Sequence, residues 1–398
     1  MKSRLFARIG AALLAALFPL LAVAQSSDEA SRRASHDNSQ RAAMVKARQY
    51  FFGPENVDER TGKVREDKVI FSWFSVASFA VAAKGRVFLL DSYIYRLADK
   101  RAYVPVTVQD LVDLKPEVIF IGHGHGDHAD NAAYIAKLTG ATIYGAAEHC
   151  DAMQGDAGRI FGAGTTVKCQ SITTAGSAPG TEVRTLRVLA PDLCITAWKH
   201  VHSATVPVDP TLPPNPINAV RDPRVDTLFP PNPPPALDTR TTAGAGGPIP
   251  IMYQFTVGGS DFTFMWHDTA GPLKEQAPQL LQFFTTLPKT DVELGAGVSI
   301  GEANNGVRDI AMYVQAIQPK VFFMTHTDNF NIGASEFYVQ AIQRQFDIFN
   351  IPQADRPEVR GLHDPYDYVR PYLMTFDYKN DLWRDAKKGN RHSRFCAG

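Results

Sequence analysis

The sequence predicts an α/β fold: a four-layer αββα sandwich interrupted by a long proline-rich insertion. Three observations predict it. Short apolar runs of strand length fall into two groups, each followed by helical patterns, which suits two sheets with helices outside them. The composition is that of an ordinary soluble protein, with 44% hydrophobic and 21% charged residues over 398 positions. That argues against wholesale disorder, collagen-like repeats and a coiled coil. Several apolar runs end in histidine or aspartate, so chemistry is expected along one edge of the sandwich.

The elements follow in order. Lys2, Arg4 and Arg8 precede an uncharged apolar run of 16 residues, Ile9 to Ala24, closed by Ala22-Val23-Ala24. This is the layout of a cleavable secretory signal peptide over 1–24, and the run is short of the roughly 20 residues a membrane span needs. No Arg-Arg pair precedes the run, which favours general secretion. The expected location is therefore periplasmic or extracellular, with no stable membrane span after cleavage. Residues 25–65 form a lead-in, polar to about position 38, with a short helix from Arg41 to Phe52. A strand is predicted at Val69–Phe74. A hairpin follows, Phe79–Ala83 with Arg86–Asp91, closed at Lys84-Gly85. Glu117–Ile121 reads as a buried strand stopping at Gly122, with a helix over about 131–138. Short strands are predicted at 141–144, 165–170, 183–189 and 193–199.

Between Thr205 and Pro250 lie 13 of the chain's 27 prolines. Proline fixes φ and lacks a donor, so this stretch belongs to neither sheet nor helix interior. It reads either as a surface linker or as a loop over a pocket, which Leu212, Ile217, Leu228 and Phe229 could roof. Strands resume at 251–258 and 261–266, joined at Gly258-Gly259-Ser260. A helix is predicted over Leu273–Leu287, then a strand at Asp291–Gly295, a helix at Gly306–Ile317, a strand at Lys320–Thr325 and a helix at Ser335–Ile348. The main domain is expected over 66–330, with a C-terminal helix and extension over 331–398 whose last 50 residues have no clear pattern.

Charge balances at 41 basic and 41 acidic residues, which leaves no electrostatic footprint for nucleic acid. The expected partner is a small-molecule or lipid-like substrate; oligomeric state is not readable. Four cysteines do not make a disulfide-built fold. They allow three pairings, and an oxidising compartment would permit one, with Cys150 and Cys169 the pair considered. None of Cys150, Cys169, Cys194 and Cys396 has metal-ligand spacing.

The strongest signal is Gly122-His123-Gly124-His125-Gly126-Asp127-His128. Three imidazoles and a carboxylate within six residues gain little from packing and repel once charged, whereas zinc and its neighbours reward such a set. The glycines are expected to let the backbone turn tightly. Three further apolar strands end in ligand-type residues: Ile195–Trp198 before Lys199-His200-Val201-His202, Phe262–Trp266 before His267-Asp268, and Val321–Thr325 before His326. His200 and His202, two apart on a strand, would point the same way, so alternation does not separate them. His267 should point away from Asp268 and is read as packed or supporting. His149, beside Glu148 and Cys150, reads as structural. Asp130 is either a helix cap or a carboxylate orienting an imidazole. His36, His363 and His392 carry no pattern. Phe71, Trp73, Phe74, Phe79 and Trp198 are either core or mouth residues.

The His-x-His-x-Asp-His stretch at 123–128, with the later motifs in order, resembles the metallo-β-lactamase superfamily of metal-dependent hydrolases. The resemblance covers about 66–330. Trp73–Asp91 and 290–326 look like the branch holding ascorbate-phosphate lactonases and N-acylphosphatidylethanolamine-type phospholipases. The resemblance implies two divalent metal ions, zinc foremost, with Mn2+ or Fe2+ as alternatives. His123, His125 and His202 would hold the first, Asp127, His128 and His326 the second, and Asp268 would bridge them. His202 is preferred over His200 because Ser203-Ala204 follows it, as in relatives. No cysteine stands near Asp268, unlike in the true β-lactamases. The implied activity is attack by activated hydroxide on an ester, lactone or phosphodiester, with Asp127 as a proton shuttle and Asp268 essential. An iron-binding oxidoreductase of the same fold, or a non-catalytic metal-binding protein, is the alternative.

Overall fold

A helix, α1 (34–52), enters the domain, its start lying before the Arg41 expected from the sequence. The computed structural model describes residues 32, 34–96, 99–103, 106–209, 224, 228, 237–242, 244, 246–297, 305–328, 335–362, 364–369 and 371–384. The leader at 1–24, His363, His392, Cys396, Leu212, Ile217 and Phe229 lie outside these.

The first half of the chain contributes β1 (Lys68–Ser75), β2 (Ser78–Ala83), β3 (Arg86–Leu90), a small ribbon of β4 (Tyr95–Arg96) and β5 (Asp99–Tyr103), and helix α2 (Val108–Asp113). Then come β6 (Val118–Phe120), α3 (Gly126–Ala129), α4 (Ala132–Thr139), β7 (Thr142–Ala146), α5 (Ala147–Phe161) and β8 (Cys169–Thr173). The second half contributes β9 (Arg184–Leu186), β10 (Leu193–Lys199), β11 (Ile251–Val257), β12 (Thr263–His267), α6 (Leu273–Gln276), α7 (Gln279–Thr286) and β13 (Val292–Ala296). It closes with α8 (Arg308–Ile317), β14 (Val321–Thr325), α9 (Ser335–Ile348), β15 (Glu358–Gly361) and β16 (Thr375–Asp377).

These strands make two seven-stranded mixed sheets, ordered β16-β1-β2-β3-β6-β7-β8 and β15-β14-β13-β12-β11-β10-β9. The predicted two-sheet sandwich is therefore present, and the C-terminal segment completes it: β16 pairs antiparallel with β1, and β15 pairs parallel with β14. Each sheet is antiparallel in one half and parallel in the other.

Period-two alternation builds the layers. Tyr253, Phe255, Phe264, Trp266, Leu294 and Phe323 face the other sheet. Trp198, Met252, Met265, Phe322 and Met324 face the helices instead, against Leu280, Phe284, Tyr313, Tyr338 and Phe346. Strands covered on both faces read as continuous apolar runs. Rings lock the sheets together: Phe255 stacks on Phe264 at 4.5 Å and on Phe88 at 5.5 Å, and Phe71 meets Phe264 edge-on at 5.0 Å. The five aromatic residues weighed as mouth residues, Phe71, Trp73, Phe74, Phe79 and Trp198, are all core.

Two expectations need correction. The helix expected over 273–287 is two helices, because Pro278 removes a backbone donor and ends the first at Gln276. The strand expected at 165–170 runs from Cys169 to Thr173. Helices α2 and α5 had no counterpart in the sequence pattern. Cys150 and Cys169, the pair considered, are bonded and tie α5 to β8. Among the described residues no helix is long and apolar enough to cross a membrane.

Phe255 sits at the centre of the inter-sheet stack. Phe255→Ala should lower stability by about 3–5 kcal/mol, read as the shift in urea-unfolding free energy; a loss below about 1 kcal/mol would show that the sheets do not rely on this contact.

Candidate metal centre

Five segments bring ligand-type side chains to one edge of the sandwich, each just past a strand. In the first sheet β3 and β6 run parallel, so Asp91 and the 123–128 loop leave the same edge. In the second sheet β12 is antiparallel to β11, which is antiparallel to β10, while β12, β13 and β14 run parallel. The carboxyl ends of β10, β12 and β14 therefore also share an edge, and they deliver His202, Asp268 and His326. Crevices beyond strand carboxyl ends are where α/β sheets hold ligands.

The loop at 122–128 is pinned to the second sheet. Ile251 N donates to Gly122 O at 2.8 Å, Gly124 N donates to Gly247 O at 3.0 Å, and the Tyr253 hydroxyl donates to Ile121 O at 2.9 Å. The glycines serve close approach rather than the tight turn expected of them. A Cβ at Gly122 would lie 2.1 Å from the Asp268 carboxyl carbon, and one at Gly124 would lie 2.6 Å from the Gly246 backbone.

Three groups of side chains converge: His123, His125 and His202; Asp127, His128 and His326; and His123, His128 and Asp268. Within each group the ligand atoms lie within 4.8 Å of one another. In the first, His123 Nε2 is 3.0 Å from His125 Nδ1 and 3.1 Å from His202 Nε2. In the second, His128 Nε2 is 2.9 Å from His326 Nε2, and Asp127 Oδ2 is 3.7 Å from both nitrogens. Asp268 joins the two groups: its Oδ2 is 2.7 Å from His123 Nδ1 and 3.1 Å from His128 Nδ1. It thus approaches both rings from the Nδ1 side, and its Oδ1 is buried with no hydrogen-bond partner.

Ring partners fix the tautomers. His202 Nδ1 lies 2.7 Å from the Ser203 carbonyl oxygen, an acceptor only, so Nδ1 carries the proton and Nε2 a lone pair. His123 Nδ1 faces the Asp268 carboxylate with the same consequence. Two lone pairs at 3.1 Å cannot hydrogen-bond; a cation between them satisfies both. This donor set fits divalent metal ions.

The electrostatics agree. Burial pushes His123 well below its usual pKa and lowers His125 and His202; burial and the neighbouring His128 push His326 down to about 4. These rings are neutral ligands near pH 7. Burial also opposes charge on His128, but the carboxylates of Asp127, Asp268 and Asp91 outweigh it and push the ring up to about 10. Burial disfavours the Asp268 carboxylate too, yet His123 and His128 hold it well below the ordinary range.

Asp91 is the residue that sequence reasoning missed. It is fully buried at φ +53°, accepts from Gly122 N at 3.0 Å, and places Oδ2 2.8 Å from His128 Nδ1. Burial and the Asp268 charge raise its carboxyl to about 8, against the pull of His128. The signal that could have found it is the layout of the other motifs: Val87–Leu90 is an apolar strand ending in a ligand-type residue.

The other candidates sort themselves by contact. The strand ends at Lys199, so alternation never governed His200 and His202. His202 joins the cluster, whereas His200 turns to the Tyr313 hydroxyl at 3.1 Å. His267 is packed, with Nε2 2.9 Å from Glu293 and Nδ1 2.7 Å from Thr269 O. His149 is buried and accepts from Ala146 N at the start of α5. Asp130 caps no imidazole; it accepts from Thr241 N at 2.8 Å. His36 pairs with Gln40 on exposed helix.

No family model matches the chain. It is 37% identical over 76 residues to a UPF0173 metal-dependent hydrolase of Pyrobaculum islandicum, covering 19% of this chain and 32% of that protein. It is 31% identical over 74 residues to one from Methanopyrus kandleri, covering 29% of it. The match thus spans about a third of these relatives' length. Over that segment the chain is homologous to them. Its two mixed sheets, with histidine and aspartate ligands at the strand ends, decide the architecture. The chain is an αββα sandwich with a histidine–aspartate cluster at one edge. Among solved structures, Igni18, a metallo hydrolase from Ignicoccus hospitalis, aligns over 74% of this chain and 95% of its own, with 16% identity and a TM-score of 0.46.

The buried histidine–aspartate cluster sets a pH dependence. His123, His125, His149, His200, His202 and His326 all have lowered pKa values, mainly through burial. Between about pH 6.5 and 4 the unfolded chain binds protons that the folded chain refuses, so stability falls as pH falls. Asp91 and Asp130, raised to about 8 and about 7, work in the opposite sense, as do His128, raised to about 10, and the raised Glu293 and Asp309, but these five are fewer than the six histidines. Metal-free protein should therefore show a urea midpoint that drops from pH 7 to pH 5; a midpoint constant or rising over that interval would contradict this balance.

Proposed function

We propose that this chain is an exported hydrolase working through two divalent metal ions, zinc foremost, on an ester, lactone or phosphodiester of a small-molecule or lipid-like substrate. The observation that carries the reading is the pair of facing Nε2 atoms in each ligand group, His123 with His202 and His128 with His326, joined through the single Asp268 oxygen. His123, His125 and His202 would hold one ion and Asp127, His128 and His326 the other. Asp268 stands where the two groups meet.

Such ions supply Lewis acidity and lower the pKa of water toward neutrality. The chain's own residues do the rest. Asp91 and Asp268 hold the proton on His128 Nδ1, so the proton a metal ion would displace from this ring is the one on Nε2. Asp127 has the one carboxylate of the centre with appreciable exposure, 16% against 0% for Asp91 and Asp268, which suits it to take and release a proton. The branch resemblance favours lactone and phosphodiester substrates, and the carbonyl or phosphoryl centre of either would meet the same electrophilic edge.

Export rests on the leader over 1–24 and on the Cys150–Cys169 disulfide, which suits an oxidising compartment. Protein recovered from an expressing bacterium should carry Gln25 at its N-terminus and lie in the periplasm or medium; a full-length cytoplasmic product would sink this part.

The chemistry is tested by elemental analysis with an assay panel. About two zinc ions per chain and turnover of a lactone or phosphodiester are expected. Asp268→Ala and His123→Ala should lose at least about 1000-fold in kcat/KM, of the order seen when a principal electrostatic group is removed, while remaining soluble. Full activity after metal stripping would refute the proposal, and iron with redox turnover would favour the oxidoreductase reading.

A further inference from the structure

His326 is held in a conformation that its own backbone does not favour. It follows β14 with φ +60°, in the left-handed region that residues bearing a Cβ seldom adopt. Neighbours must therefore impose it. Its backbone N donates to Val76 O at 3.0 Å, and Val76 N donates back to Asp328 Oδ1 at 3.0 Å. Val76 is itself left-handed, at φ +47°. The two bonds clasp the β1–β2 turn of one sheet to the His326 loop of the other.

The clasp is closed from the C-terminal segment. The Tyr368 hydroxyl donates to Asp328 Oδ2 at 2.5 Å, and both residues are buried. The Tyr368 ring stacks on Trp73 at 4.3 Å and 17°. Trp73 Nε1 donates to the same Val76 carbonyl at 2.9 Å, and Val369 N donates to Trp73 O at 2.8 Å. A buried carboxylate holds its rotamer only while its donors hold it. Without the Tyr368 hydroxyl, Asp328 would be drawn to other donors and its bond to Val76 N would loosen. The geometry points to Tyr368 as a positioning residue that acts through Asp328 and Val76 to keep His326 Nε2 turned toward His128. This inference rests on the dinuclear reading and deepens it: the connection between β15 and β16 helps set the second metal site.

Tyr368→Phe removes one oxygen and keeps the stack on Trp73. Metal-free wild type and variant would be titrated with zinc against a chromophoric chelator, with thermal unfolding of the metal-free forms measured alongside. The variant should bind its first zinc as wild type does and its second about 10–100-fold more weakly, the usual effect of removing a ligand's outer partner. Its metal-free melting temperature should fall by a few degrees, as loss of one buried bond to a carboxylate requires, so the selectivity between the two sites is the deciding readout. Asp328→Asn should show the same selective loss, and serves if the first variant folds poorly. Tyr366→Phe, at an exposed neighbour, should match wild type. Unchanged second-site affinity, or equal weakening of both sites, would overturn the inference while leaving the dinuclear reading intact. A wild type that takes up fewer than two ions would overturn that reading and this inference with it.

Discussion

Imidazole lone pairs aimed at one another across about 3 Å are the constraint on which the structure turns. Left to themselves, His123 and His202 would rotate apart, because two Nε2 acceptors gain nothing from facing each other. They are not free to rotate. The Ser203 carbonyl fixes one ring and the Asp268 carboxylate fixes the other. The same holds for His128, whose Nδ1 is taken up by Asp91 and Asp268 so that Nε2 is committed to the His326 side. The rear of each ring is satisfied by the protein, and the front is left for an ion. This is why two buried carboxylates, Asp91 and Asp268, collect behind the Nδ1 atoms of His123 and His128.

Holding five segments to that tolerance is the task of the two sheets. Parallel strands put several carboxyl ends on one edge without further instruction, and the ligand residues are the next positions along the chain. The sheets must then be fixed against each other. The aromatic stack around Phe255 does this in the middle, and backbone bonds from Ile251 to Gly122 and from Gly124 to Gly247 do it at the edge. Gly122 and Gly124 permit the contact because a Cβ at either would strike Asp268 or Gly246.

Much of this was legible in the sequence. The strand-then-ligand layout marks His123, His125, Asp127, His128, Asp268 and His326 because an apolar run followed by a polar side chain is rare in a covered sheet. Asp91 has the same layout but stands alone, and a lone aspartate after a strand is usually a turn residue. His202, preferred because Ser203-Ala204 follows it, is the ring that lies in the cluster, and loop dihedrals past Lys199, invisible to periodicity, decide where it and His200 point. Helix α5 escaped notice because Gly155 and Gly158 dilute its pattern. Strands β15 and β16, of four and three residues, are too short for any alternation to register. Tyr368 carries no local signal at all: its meaning lies in a contact 40 positions away.

The two ends of the proline-rich insertion are held by polar side chains. Its prolines deny it ladder donors, so polar side chains at its ends must hold it. At its start Asp209 meets the buried Arg308, whose guanidinium also engages Glu275 and Asp309. Toward its end Thr239 donates to Asn131, Thr241 bonds to Asp130 and Asp156, and Arg159 reaches the Asp238 and Arg240 carbonyls. The first anchor belongs to α8 of the second sheet's helical layer, and the second to α3, α4 and α5 of the first sheet's layer. The insertion therefore departs from one half of the sandwich and returns to the other, and its last residues run past Gly124 on the way into β11. Arg308 is itself buried, so losing its buried partner Asp309 costs more than losing an exposed ion pair would.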